Sequence, residues 1–117
     1  NGAESYLISN NFLFDKIRVD GSLEIPFLLH KFQNDYSGFI VLGCIVKGET
    51  DHYDVVKNIS MNEIYSLVYK KIIPLGSAIL TVNNFKQAIE RSDINKKNLG
   101  GKAATVCCNL IKTLKLE

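Results

Sequence analysis

At 117 residues the chain has the length of one domain, expected to span 1–117, and can bury a core without disulfide or metal staples. A net charge of +2 is too small to argue for nucleic acid, and no apolar run approaches the ~18 residues a membrane span needs. Cys44, Cys107 and Cys108 are odd in number and two are adjacent, a poor disulfide framework; two distant histidines and no Cys-x-x-Cys leave no metal-ligand spacing. The polar start Asn1-Gly2-Ala3-Glu4-Ser5 does not read as a signal peptide. Reduced core cysteines in a reducing cytoplasm are expected.

In chain order, Gly2 to Ser9 reads as the end of a helix, stopped by Asn10-Asn11. Phe12 to Val19 reads as a strand, and Asp20-Gly21-Ser22 as a turn. Pro26 suits the first turn of a helix continuing through Phe27–Phe32. The apolar run Phe39–Val46 predicts a strand buried on both faces, with Cys44 inside it. The longest helix is predicted from about Asp51 to Ile72, with Val56, Ile59, Ile64, Leu67, Val68 and Ile72 as its buried stripe. Leu75–Val82 reads as a strand, and Asn83-Asn84 as the cap of a short helix, Phe85–Arg91. A polar linker, Ser92–Asn98, leads to a last helix carrying Ala103, Val106, Cys107, Leu110, Ile111 and Leu114. Strands alternating with helices predict a parallel sheet covered on both faces.

The junction Gly43-Cys44-Ile45-Val46-Lys47-Gly48-Glu49-Thr50-Asp51-His52 is the most informative stretch. It brings the carboxyl end of a strand to the N-terminus of a helix, where α/β sheets bind ligands and phosphates in particular. A histidine placed there does acid–base work near neutral pH. From the residues alone the reading stops at an α/β domain that binds a phosphorylated small molecule.

Three segments carry a resemblance that spans essentially the whole chain: Gly21-Ser22-Leu23-Glu24-Ile25-Pro26, then Gly48-Glu49-Thr50-Asp51-His52-Tyr53, then Ile79-Leu80-Thr81 with Gln87-Ala88-Ile89-Glu90-Arg91. In this order and spacing they resemble the lumazine synthases of riboflavin biosynthesis. The resemblance implies a three-layer α/β/α sandwich with a four-stranded parallel sheet, of flavodoxin-like topology. It also implies condensation of 5-amino-6-ribitylaminouracil with 3,4-dihydroxy-2-butanone 4-phosphate to 6,7-dimethyl-8-ribityllumazine, phosphate and water. No cofactor or metal is implied. The partners implied are further copies of the chain, as a pentamer or a shell of twelve pentamers, and a functional link to riboflavin synthase, with no nucleic acid and no membrane.

By the same resemblance, Ser22, Leu23 and Glu24 belong to the loop that holds the pyrimidine and its ribityl chain, and Cys44, Ile45 and Val46 to the backbone edge that reads the ring. Gly48, Glu49 and Thr50 form a phosphate cradle, His52 is the proton-transfer residue, and Arg91 binds phosphate in a neighbouring subunit's site. Taken singly these residues have blander readings. Glu24 is a turn residue before Pro26, Lys47 a solvated strand end, Arg91 a cation at a helix C-terminus, and His52 a polar residue at a helix N-terminus.

The chain departs from the family pattern at Lys47, where Arg is usual, at Ser77, where a Phe packs near the pyrimidine across the subunit interface, and at Leu99, where Lys is usual. The family also opens with a strand that lies between those expected here at Phe12–Val19 and Phe39–Val46, so the chain is expected to lack that N-terminal strand and part of the first helix. An alternative reading is a catalytically weak lumazine- or flavin-binding, or shell-forming, homologue.

Overall fold

The computed structural model describes residues 2–19, 21–46 and 53–115. Helix α1, Gly2–Ser9, ends where the two asparagines predict. Asn11 takes φ 61° and the Phe12 N–H donates to the Leu7 carbonyl at 2.9 Å, the left-handed closure that asparagine tolerates better than most residues.

The strand expected over Phe12–Val19 is not formed. Residues 12–19 adopt no regular structure, and Leu13, Phe14, Ile17 and Val19 are exposed. A strand exists only where a neighbour takes its backbone N–H and C=O groups, and among the described residues no ladder includes this segment. It is tethered instead by side chains. Lys16 pairs with Glu4 of α1 at 2.7 Å, and the Tyr36 hydroxyl donates to the Asp15 carboxylate at 2.6 Å.

A short 3-10 turn, Ser22–Glu24, runs directly into helix α2, Ile25–Phe32, with Pro26 in its first turn. Strands β1, Phe39–Val46, and β2, Leu75–Val82, are parallel and in register from Phe39 opposite Leu75 to Val46 opposite Val82. They are the whole sheet among the described residues, against the four strands expected. Helix α3, Tyr53–Lys71, makes the crossover between them, as a parallel pair requires. The expected first residues of this helix, Asp51 and His52, lie outside the described residues.

Side chains alternate across the strands, and this sorts the helices into two layers. Val41 and Leu75 point to one face and form the core with Leu29 of α2 and Ile64, Leu67 and Val68 of α3. Gly76, one residue on, points to the other face, where the backbone of Ala103 in α5, Leu99–Lys115, lies directly against it. Helix α1 packs on α5. The result is an α/β/α arrangement with α2 and α3 on one side of a parallel sheet and α1 and α5 on the other.

Two burial expectations need correction. The α3 stripe includes Ser60, fully buried, with Ile64, Leu67 and Val68, an i, i+4, i+7, i+8 series. Ile59 and Ile72 are instead exposed, and the side chain of Val56 is outside the description. β1 is covered on its α3 face, where Val41 is buried, but Leu42 and Cys44 on the opposite face are exposed because α5 lies chiefly over β2. Cys107 and Cys108 are buried as expected, and burial pushes the Cys107 thiol up to about 11, with its neighbour Cys108 adding to the effect.

Helix α3 closes with Ile72 at φ 54° and the Ile73 N–H donating to the Val68 carbonyl at 3.0 Å. This is the closure glycine usually supplies, and a β-branched residue is strained in it. Ile72 is exposed, so its side chain offsets little of that strain. Ile72→Gly should therefore raise the unfolding free energy by about 1 kcal/mol, measured by denaturant titration. An unchanged or lower midpoint would show that the Ile72 side chain contributes packing of equal size.

Candidate active site

The turn Ser22–Glu24 is fixed from two directions. The Glu24 N–H donates to the Gly21 carbonyl at 3.2 Å, closing the turn, and the buried Ser60 hydroxyl of α3 donates to the Ser22 hydroxyl at 3.2 Å. The Glu24 carboxylate folds back over Gly21, whose hypothetical Cβ would stand 3.1 Å from Oε2, so a residue with no side chain leaves room for it. Ser60 lies seven residues past Tyr53, about 10 Å along the helix. The hydroxyl pair thus brings Ser22, Leu23 and Glu24 to the first half of α3, the helix that His52 precedes in sequence.

Leu23 is half-exposed and lines an open hollow of about 350 Å³ with Pro26, Phe27, His30, Ile59 and Glu63. Phe27 and Ile59 leave apolar surface uncovered there.

Cys44 occupies the carboxyl half of β1, opposite Leu80, with its thiol exposed. The backbone of Ile45 and Val46 completes the strand opposite Thr81 and Val82. Lys47, Gly48, Glu49, Thr50 and His52 lie outside the described residues, so the structure neither assembles nor separates the expected phosphate cradle. Its two flanks are described: Val46 ends β1 and Tyr53 opens α3.

Ser77 stands apart from this junction. Ser77 is the third residue of β2, opposite Val41, about 17 Å of strand away from the Val46–Val82 end. Its hydroxyl shares a hydrogen bond of 2.7 Å with that of Tyr65 on α3. Arg91 is in the last turn of α4, Phe85–Ser92, half-buried. That helix is set by the predicted cap: Asn84 Oδ1 accepts from the Gln87 N–H at 3.0 Å, and Gln87 Oε1 accepts from the Asn83 N–H at 2.8 Å. The turn that follows is tied by the Asn98 N–H to the Asp93 carbonyl at 2.9 Å, and Asn98 Oδ1 accepts from the Gly101 N–H at 3.2 Å to start α5. Leu99 is the first residue of α5.

Sequence reasoning missed Ser60 and Tyr65. A polar residue standing four before Ile64 in the stripe was the available signal for Ser60. None of the local spacings pointed to Tyr65.

A parallel strand–helix–strand unit with helices on both faces, a 3-10 turn pinned to the crossover helix and a glycine-bearing segment between β1 and α3 define an α/β domain of the ligand-binding kind. Residues 2–115 match the sequence profile of 6,7-dimethyl-8-ribityllumazine synthase. The chain is 38% identical over 115 residues to the 6,7-dimethyl-8-ribityllumazine synthase of Beijerinckia indica, covering 95% of this chain and 64% of that protein. It is 38% identical over 113 residues to the Bartonella tribocorum protein of the same name, covering 94% and 75%. Against the Agrobacterium fabrum protein of that name identity is 37% over 121 residues, covering 97% and 82%. The chain belongs to the 6,7-dimethyl-8-ribityllumazine synthase family.

Proposed function

We propose that this chain condenses 5-amino-6-ribitylaminouracil with 3,4-dihydroxy-2-butanone 4-phosphate to 6,7-dimethyl-8-ribityllumazine, as a transferase of riboflavin biosynthesis. The observation that carries the reading is the family match over residues 2–115, which spans every candidate site residue. The relatives bear the name of this product.

In this reading residues 1–117 act as one domain. Ser22, Leu23 and Glu24 hold the ribityl chain and pyrimidine, with Glu24 accepting hydrogen bonds from ribityl hydroxyls. The β1 edge at Cys44, Ile45 and Val46 reads the ring. Gly48, Glu49 and Thr50 cradle the phosphate at the start of α3, with Lys47 beside them. The amine attacks the ketone to form an imine with loss of water, phosphate leaves, and the ring closes with loss of a second water. His52 moves the protons.

Most of the acceleration comes from holding two reactants together. His52→Ala should therefore lower kcat on the order of tenfold to a hundredfold without abolishing turnover, read by steady-state kinetics. A larger loss would give His52 a role beyond proton transfer.

Ser77 and Arg91 serve the site of a neighbouring copy, so the working unit is a homo-oligomer. A pentamer is the minimum, and twelve pentamers in a shell is the favoured assembly, because the Ser92–Asn98 linker carries no insertion to obstruct packing between pentamers. The setting is cytoplasmic, upstream of riboflavin synthase. Among the described residues no helix is long and apolar enough to cross a membrane. The test is direct: supply both substrates and follow the lumazine chromophore. Formation no faster than the uncatalysed background would favour the lumazine- or flavin-binding alternative.

A further inference from the structure

The Ser77–Tyr65 contact is the one described side-chain hydrogen bond between the sheet and α3. It is made at a position where the family resemblance leads one to expect an aromatic ring on the strand. Here the strand residue is small and polar, and a ring reaches it from the helix. Ser77 shares its face of β2 with Leu75 and Ile79, both packed in or against the core formed with α3. Tyr65 is packed against that same core and half-buried. Its ring lies 5.5 Å from that of Tyr69, tilted by 36°, and Tyr69 is 76% exposed. Two aromatic rings therefore lead from solvent to the Ser77 hydroxyl, and the 2.7 Å bond fixes the inner one.

We infer that Tyr65 is a specificity-determining residue: its ring, held by Ser77, supplies the aromatic surface for the pyrimidine substrate that the strand itself does not carry. The inference rests on the proposed placement of Ser77 beside the pyrimidine of a neighbouring copy. The chemistry fits a ribitylaminouracil, whose flat ring packs on an aromatic face and whose polar edge meets hydroxyl groups. It does not fit the phosphorylated butanone, which has neither an aromatic ring nor a need for one.

The experiment measures binding of 5-amino-6-ribitylaminouracil by equilibrium titration of the assembled protein, with KM values for both substrates alongside. Tyr65→Ala should weaken pyrimidine binding by about threefold to tenfold and leave the KM for the butanone phosphate within about twofold. Tyr65→Leu keeps apolar packing without the ring and should behave the same way, so the inference is decided even if the alanine variant does not fold. Adding Ser77→Phe to Tyr65→Leu returns a ring to the strand and should restore pyrimidine binding. Unchanged pyrimidine binding in Tyr65→Leu, or equal weakening for both substrates, would overturn the inference and leave Tyr65 a packing residue. So would a double variant no better than the single one. Titration reads binding without turnover, so an absence of lumazine formation bears on the proposed reaction and a failure here bears on Tyr65 alone.

Discussion

Replacing Gly76 by alanine should cost about 3 kcal/mol or more, lower the melting temperature by roughly 10 °C, and cut the yield of soluble protein. A Cβ at this position falls on the Ala103 carbonyl oxygen and stands 2.7 Å from the carbonyl carbon and 3.2 Å from the Cys107 nitrogen. These are backbone atoms of α5, so no side chain can swing aside. The helix must lift off β2 as a body. Lifting it exposes Ala103, Ala104, Cys107 and Cys108, all buried beneath it. The cost is large against the 5–15 kcal/mol that holds an ordinary domain together. Thermal unfolding of Gly76→Ala checks it. A midpoint within two degrees of the parent would mean that α5 does not rest on the strand at Gly76.

Arg91→Ala should raise the KM for the phosphorylated butanone by roughly 10- to 100-fold while leaving the pyrimidine KM nearly unchanged. A guanidinium fork makes paired, charge-assisted hydrogen bonds to a phosphate, each worth about 1.5–3 kcal/mol. Arg91→Lys keeps the charge and loses the fork, and should fall between the two. The helix carrying Arg91 is fixed by the Asn84 and Gln87 caps, so the substitution leaves its backbone in place. A rise in the pyrimidine KM instead would reassign Arg91 to the other substrate.

Much of this fold is legible in the sequence because local chemistry sets it. The apolar runs Phe39–Val46 and Leu75–Val82 are strands with those bounds, and Asn10-Asn11 and Asn84 end and begin helices as their side chains dictate. Phe12–Val19 is the failure, and the reason is general: apolar composition proposes a strand, but a ladder needs a second chain segment to complete it. Exposure of Cys44 has the same origin, since an apolar run does not say which helices lie over which strand. The end of α3 at Lys71 falls within one residue of the expected Ile72, but the left-handed backbone of Ile72 is one that local preference argues against.

The candidate site divides along similar lines. Ser22, Leu23 and Glu24 form one turn, and Ser60, a residue of the buried stripe, ties that turn to α3. Tyr65 meets Ser77 across twelve residues of chain, through packing of helix on sheet that no local spacing encodes. Lys47 to His52 were the clearest chemical signal in the sequence and lie outside the described residues.

In the proposed reaction one protein joins two substrates and releases phosphate in doing so. The most direct measurement is the stoichiometry of products with both substrates and with each alone. Lumazine and inorganic phosphate should appear in equal amounts with both substrates, at a rate well above background, and neither product should form when one substrate is withheld. Phosphate released without the pyrimidine, or tight lumazine binding with no catalysed formation, would contradict it.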